Sequence, residues 1–224
     1  MKSRSLSFPL IFFIFSSFVQ GQSTDFGIWY KLDAEYSFTK KIEVDGSAMI
    51  RTFNNGSKIE TAFLEGSVSY KFNKNLSIAG AYRFNKSLED DGALHTLHKW
   101  IADIKGDTEL GRLDLSGRFR FQRQDKTYFE DADDEIPDYH ARIKFKTVYK
   151  TPSFPINPNI SVETFSRLFE ATEKRIDKYR ISVGFEYSIN KKNSFEVEYM
   201  FEQDYLPHLK NIHLIVLTYD ININ

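Results

Sequence analysis

From about residue 25 to the end, apolar and polar residues alternate along the chain in runs broken by short polar turns. In Asn75 to Lys86, Leu76, Ile78, Gly80, Tyr82 and Phe84 share one face. Asn75, Ser77, Ala79, Ala81, Arg83 and Asn85 share the other. After Gly111 the apolar series is Leu113, Leu115, Gly117, Phe119 and Phe121, against Arg112, Asp114, Ser116, Arg118, Arg120 and Gln122. Near the C-terminus Ile215, Leu217, Tyr219, Ile221 and Ile223 oppose Val216, Thr218, Asp220, Asn222 and Asn224. A period of two is the β signal, because successive side chains of a strand point to opposite faces. Eleven such segments follow, near 25–38, 41–53, 59–72, 75–86, 93–105, 112–124, 138–150, 159–170, 175–189, 194–204 and 211–223. Between them lie Asn54-Asn55-Gly56, Asn73-Lys74-Asn75, Asp90-Asp91-Gly92 and Asn190-Lys191-Lys192-Asn193, all of turn-forming composition. No useful helical period and no shift of composition follows Gly21, so 22–224 reads as one domain.

Strand length separates the architectures. Globular strands usually run about 5–6 residues, whereas a spanning strand needs about 9–11. The segments here are longer than either. Arg, Lys, Glu and Asp crowd one face and are nearly missing from the other. Aromatic residues on the apolar face, many near strand ends, are Tyr30, Tyr36, Phe38, Phe72, Tyr82, Phe84, Phe121, Tyr139, Tyr149, Tyr187 and Tyr199. That is the pattern of an outer-membrane barrel with its interfacial girdles. A soluble barrel with the apolar face inward is the alternative. The expected fold is all-β, an antiparallel up-and-down transmembrane β-barrel of 10–12 strands. Short links belong at the periplasmic end and long loops outside, the longest link here being Asp125 to Pro137. The last strand then ends in the periplasm. Eleven strands would start the first one outside, which conflicts with the even count of single-chain barrels, so twelve is favoured.

The first 21 residues are of a different kind. Lys2 and Arg4 precede an apolar stretch centred on Leu10 to Phe15, and Val19-Gln20-Gly21 suits cleavage before Gln22. This predicts a cleaved secretory signal peptide over 1–21. As a retained anchor the stretch is short of the roughly 20 residues that a spanning helix needs, and Ser16 and Ser17 interrupt it. Export of a Gram-negative protein to the outer membrane is the expected route. The chain holds 30 Lys and Arg against 31 Asp and Glu. Bulk attraction to nucleic acid is thereby excluded. Cys is absent, which excludes disulfides, thiolate metal sites and thiol nucleophiles.

Several short motifs bear a resemblance. They are Asp25-Phe26-Gly27-Ile28-Trp29, then Asn75-Leu76-Ser77-Ile78 with Gly80-Ala81-Tyr82-Arg83-Phe84, and His98-Lys99-Trp100 with Asp103. Ile176-Asp177-Lys178-Tyr179-Arg180 and Gly184-Phe185-Glu186-Tyr187 complete the set. Through them the chain resembles the uncharacterised bacterial outer-membrane barrel family catalogued as domain of unknown function 2490. The resemblance implies an outer-membrane barrel and no known activity. Many such barrels end in an aromatic residue that the barrel-assembly machinery reads; this chain ends Ile223-Asn224.

If the apolar face meets lipid, the polar face lines a lumen. Arg112, Arg118 and Arg120 on one strand and His140, Arg142, Lys144 and Lys146 on the next predict a basic wall. Asp33, Glu35, Glu43 and Asp45 on the first two strands, with Glu196, Glu198 and Glu202, predict an acidic wall. Closure brings the acidic strands together and sets the basic ones opposite. The transverse field would orient polar solutes in a passive pore. The reading weighed above it is that long Arg and Glu side chains bridge so narrow a lumen and plug it with ion pairs. A lumen with a binding role is the third reading.

Catalytic, cofactor and metal residues are all predicted to be none. Lipid-modifying barrels pair a Ser with a His. Here His95, His98, His140, His208 and His213 have no recognisable nucleophile motif nearby, and His95 and His98 point to opposite faces. The run Glu130 to Glu135 holds five carboxylates in six residues. It lacks the spacing of a calcium loop and reads as a solvated acidic loop, with cation bridging to lipopolysaccharide the other reading. The expected protein is a monomer with no enzymatic activity, a structural barrel or passive pore; a lipid-modifying outer-membrane enzyme is the alternative of a different class. Its expected partners are outer-membrane lipid, lipopolysaccharide and, during insertion, the assembly machinery.

Overall fold

A computed structural model describes residues 23–89, 92–127, 136–169, 176–205 and 209–224. The predicted signal segment, the acidic run Glu130 to Glu135 and His208 lie outside them. Among the described residues there are eleven strands: β1 (Ser23–Ser37), β2 (Ile42–Phe53), β3 (Lys58–Lys71), β4 (Leu76–Leu88), β5 (Leu94–Leu110), β6 (Leu113–Lys126), β7 (Asp138–Tyr149), β8 (Ile156–Leu168), β9 (Lys178–Ser188), β10 (Asn193–Asp204) and β11 (Lys210–Asn222). Each predicted segment is one of these strands. The largest change of boundary is in β5, which continues to Leu110 rather than ending near 105.

The strands close into one barrel, each hydrogen-bonded to its neighbours in sequence. All neighbouring pairs are antiparallel except the seam, where β1 and β11 run parallel from Ser23↔Lys210 to Glu35↔Asn222. Two expectations are thereby corrected: the barrel is not wholly antiparallel, and eleven strands, not twelve, complete it. An even count is required only when every neighbouring pair is antiparallel. A parallel seam relaxes that requirement and places Ser23 and Asn222 at opposite ends. One end, the short-turn end, carries the links β1–β2, β3–β4, β5–β6, β7–β8 and β9–β10.

Local chemistry fixes those links. Thr39 Oγ1 accepts from the Lys41 and Ile42 amides at 3.2 and 2.9 Å. Asn73 Oδ1 accepts from the Asn75 and Leu76 amides, and Asn190 Oδ1 from those of Lys192 and Asn193. Such side-chain turns replace the ladder where it ends. At the other end Asn54, Asn55 and Gly56 hold φ of 52°, 56° and 78°, a left-handed run that Asn and Gly tolerate best. The β2–β3 register shifts at Arg51/Thr52. There Thr52 Oγ1 bonds both the amide and the carbonyl of Ile28 at 2.9 Å. A Cβ on Gly27 would stand 2.2 Å from the Thr52 carbonyl oxygen, so this approach requires glycine.

The two faces differ as the alternation predicted. Leu64, Val68, Trp100, Phe145, Ile160 and Val183 are exposed on the outside. Arg83, Asp103, Arg120, Glu163, Arg180 and Glu202 are buried on the inside. This inverts the ordinary distribution of a globular protein. Two outward histidines are held by tyrosines: Tyr82 Oη lies 2.5 Å from His98 Nδ1, and Tyr199 Oη 2.6 Å from His213 Nδ1. The interior also holds an apolar cluster that includes Trp29, Met49, Phe63, Met200 and Leu214.

Candidate functional site: the barrel interior

Strand tilt brings inward residues from different points of each strand to one level, and there they form a waist. Guanidinium groups and aromatic rings alternate across it. Arg142 Cζ lies 4.4 Å from the Phe165 ring centre, and Arg180 Cζ lies 4.5 Å from the same ring. Arg180 also stands 4.9 Å from the Trp29 ring centre, and Arg51 4.2 Å from the same ring. Arg51 is 5.5 Å from Phe63, whose second cation is Arg83 at 3.9 Å. The ladder Arg142–Phe165–Arg180–Trp29–Arg51–Phe63–Arg83 draws on β7, β8, β9, β1, β2, β3 and β4. Away from water each cation–π contact contributes up to about 2 kcal/mol.

Carboxylates tie all of these guanidinium groups but that of Arg51 to the wall. Arg120 grips Asp103 with two parallel bonds of 2.7 Å. Arg83 donates to Glu65 at 2.7 Å. Glu163 accepts from Arg118 at 2.9 Å and from Arg142 at 2.8 Å. Arg180 pairs with Glu202, which Lys178 also meets at 3.2 Å. Paired forks of this kind are the favourable way to bury charge.

On the short-turn side of the waist lies a cavity of about 1080 Å³. Its lining reaches from Trp29, Arg51 and Arg180 at the waist to Asn190, Lys191 and Asn222 at the mouth. Of the predicted basic residues, Arg118, Arg120, Arg142, Lys144 and Lys146 line it. Arg112 does not: it sits in the β5–β6 turn and donates to the Tyr149 hydroxyl at 3.3 Å. The expectation for Arg112 is corrected because β6 starts one residue later. Of the predicted acidic residues, Asp33, Glu35, Asp45, Glu196 and Glu198 line the cavity. Glu43 instead pairs with Lys71, and Glu202 belongs to the waist.

Like charges face each other in register on both sides. Lys105, Arg118 and Lys144 form one row across β5, β6 and β7, and Arg120 opposes Arg142. Asp33 opposes Asp220 across the seam, Glu35 opposes Asp45, and Glu186 opposes Glu196. Strand β6 stands five neighbours from β1 and five from β11, so the Asp33–Asp220 pair is diametrically placed, while Glu186 and Glu196 lie three and four strands away. The separation is incomplete, since Lys146 reaches Glu196 and Asn159 bonds the same carboxylate at 2.7 Å.

Alternation located the inward faces but missed the waist. Trp29, Arg51, Phe63, Arg83, Phe165 and Arg180 were readable only as aromatic or Arg residues on an otherwise small or acidic inward face. His140 shares the inward face of Arg142, opposite Gln122.

A closed, tilted barrel with an apolar outside and a charged inside has the fold of outer-membrane β-barrels. Solved structures agree. The NanC porin in its rhombohedral crystal form matches with a TM-score of 0.52 at 14% identity, over 84% of this chain and 94% of that one. The beta domain of the Bordetella autotransporter Brka matches with a TM-score of 0.51 at 8% identity, over 80% and 82%. The chain belongs to the family described as "Protein of unknown function (DUF2490)", which matches residues 26–212. No curated protein matches the sequence.

Proposed function

We propose that the protein is a monomeric outer-membrane barrel that takes small polar solutes into a charged chamber and passes them only when its waist opens. The waist carries this reading. A ladder of seven side chains, three of its four guanidinium groups held by carboxylates, crosses the interior at the inner end of the cavity. The short-turn end faces the periplasm under the usual rule for these barrels, so the chamber opens to the periplasm. Opposed rows of like charge are kept there although each pair is unfavourable in a sheet. A field across the chamber is what they supply, and it orients dipolar solutes. The apolar outside contacts lipid and lipopolysaccharide, and insertion follows export and the assembly machinery. No catalytic role is part of this reading.

Planar-bilayer recording tests it. The wild-type protein is expected to show no steady conductance, and the double variant Trp29→Ala/Phe63→Ala to conduct. A large, steady wild-type conductance would overturn the closed waist. An equally silent double variant would remove the gating role of the ladder.

A further inference from the structure

The ion pairs of the waist leave two cations over. Arg83, Arg120, Arg142 and Arg180 each have a carboxylate. Arg51 has none among the described residues. Its Nε donates only to the Met49 sulfur at 3.1 Å, a weak acceptor. The charges acting on it most are the guanidinium groups of Arg180 and Arg83, ahead of the carboxylates of Glu60 and Glu202, neither of which pairs with it. Lys99 likewise has no carboxylate, and its register partner is Arg83. Lys99 is buried, and the charges acting on it most are Arg83, Arg51, Arg142 and Lys178, all cationic. Beside Arg51, the Trp29 indole Nε1 is buried without an acceptor, in a side chain only 4% exposed. Trp29 and Arg51 both line the inner end of the cavity.

An unpaired buried cation is costly, and so is an unmet buried N–H. One anion at this point would relieve both. It would take the free fork of Arg51, accept from the indole N–H and lie in the positive potential that Lys99 reinforces. We infer that the inner end of the chamber is a binding site for a small carboxylate-bearing solute, with Arg51 and Trp29 as its anchors. A carboxylate is favoured because its two oxygens match the planar guanidinium fork. The inference rests on the proposed chamber, and it names the class of solute the chamber holds.

The test uses the full chain in detergent micelles with Trp100→Phe, which leaves Trp29 as the one indole. Iodide quenches an indole on contact, and caesium does so as a cation. Iodide is expected to quench Trp29 saturably, acetate to displace it, and caesium to leave the emission unchanged. Inorganic phosphate is expected to displace iodide less well than acetate; stronger displacement by phosphate would overturn the carboxylate assignment. Arg51→Gln is expected to weaken iodide binding about tenfold or more, the loss of one charged anchor. Unsaturable quenching, no competition by acetate, or an unchanged Arg51→Gln would each overturn the site. Lys99→Gln serves as a second variant, with a smaller weakening expected. Heat-modifiable gel mobility, read on the same samples, separates a missing site from a missing barrel: loss of the mobility shift in the parent protein would refute the chamber itself.

Discussion

Asp33 and Asp220 stand directly opposite each other across the parallel seam that closes the barrel. Among the described residues neither has an arginine for a partner; the nearest help is Lys31, paired with Asp33, and the Ser194 hydroxyl, 3.4 Å from Asp220. The first and last strands meet through a repulsive pair at the place where the barrel must zip shut. The same pair begins the acidic side of the chamber, so closure and field share residues.

Neutralising one member should strengthen the seam. Asp220→Asn is expected to stabilise the folded barrel by up to about 1 kcal/mol, the scale of a like-charge pair in a sheet. The midpoint temperature at which the fast-running gel band disappears reads this out, and a fall in that midpoint would count against it.

The Arg120–Asp103 fork has the opposite sign. Both side chains are buried and doubly bonded. Asp103→Asn leaves that guanidinium with only the longer 3.7 Å pair to Glu65 and should cost about 3 kcal/mol, whereas the double change Asp103→Leu/Arg120→Met should cost much less. Urea titration of barrel mobility compares the two, and equal losses would show that the pair is not coupled.

Two glycines make a contrast. A Cβ on Gly184 would lie 2.3 Å from the Val197 carbonyl oxygen and 2.8 Å from Glu198 Cα. One on Gly80 would meet nothing within 4 Å. Gly184→Ala must push backbone from backbone and should destabilise by about 1–3 kcal/mol. Gly80→Ala on the outer face should be neutral or slightly stabilising. The same mobility assay ranks them, and the reverse order would refute the placement of these two faces.

Much of this molecule is legible in its sequence. The period of two located every strand, because a barrel with one apolar and one polar face must repeat that contrast along each strand. The seam was not legible. Alternation says which way a side chain points and nothing about the direction of the strand beside it, so β1 and β11 looked like an odd count in need of a twelfth. Charge walls were legible as sets, as in Lys144 and Glu196, but their partners were not. Arg118 and Arg142 share Glu163 over separations of 45 and 21 residues, which no local pattern encodes. The waist was hidden for the same reason: Trp29, Arg51 and Phe63 meet only once tilt and closure fix their heights. Arg112 was misplaced by one residue of strand boundary.

The central claim is that the apolar face meets lipid while the opposite face encloses a charged waist. The two tryptophans report one face each: Trp100 is 56% exposed on the outside, and Trp29 is 4% exposed within. The most direct measurement is fluorescence of the single-tryptophan variants Trp29→Phe and Trp100→Phe in vesicles of brominated phospholipid. The emission of Trp100 should be strongly quenched by the brominated chains and that of Trp29 left intact. Quenching of Trp29, or a Trp100 indifferent to the lipid, would contradict the account.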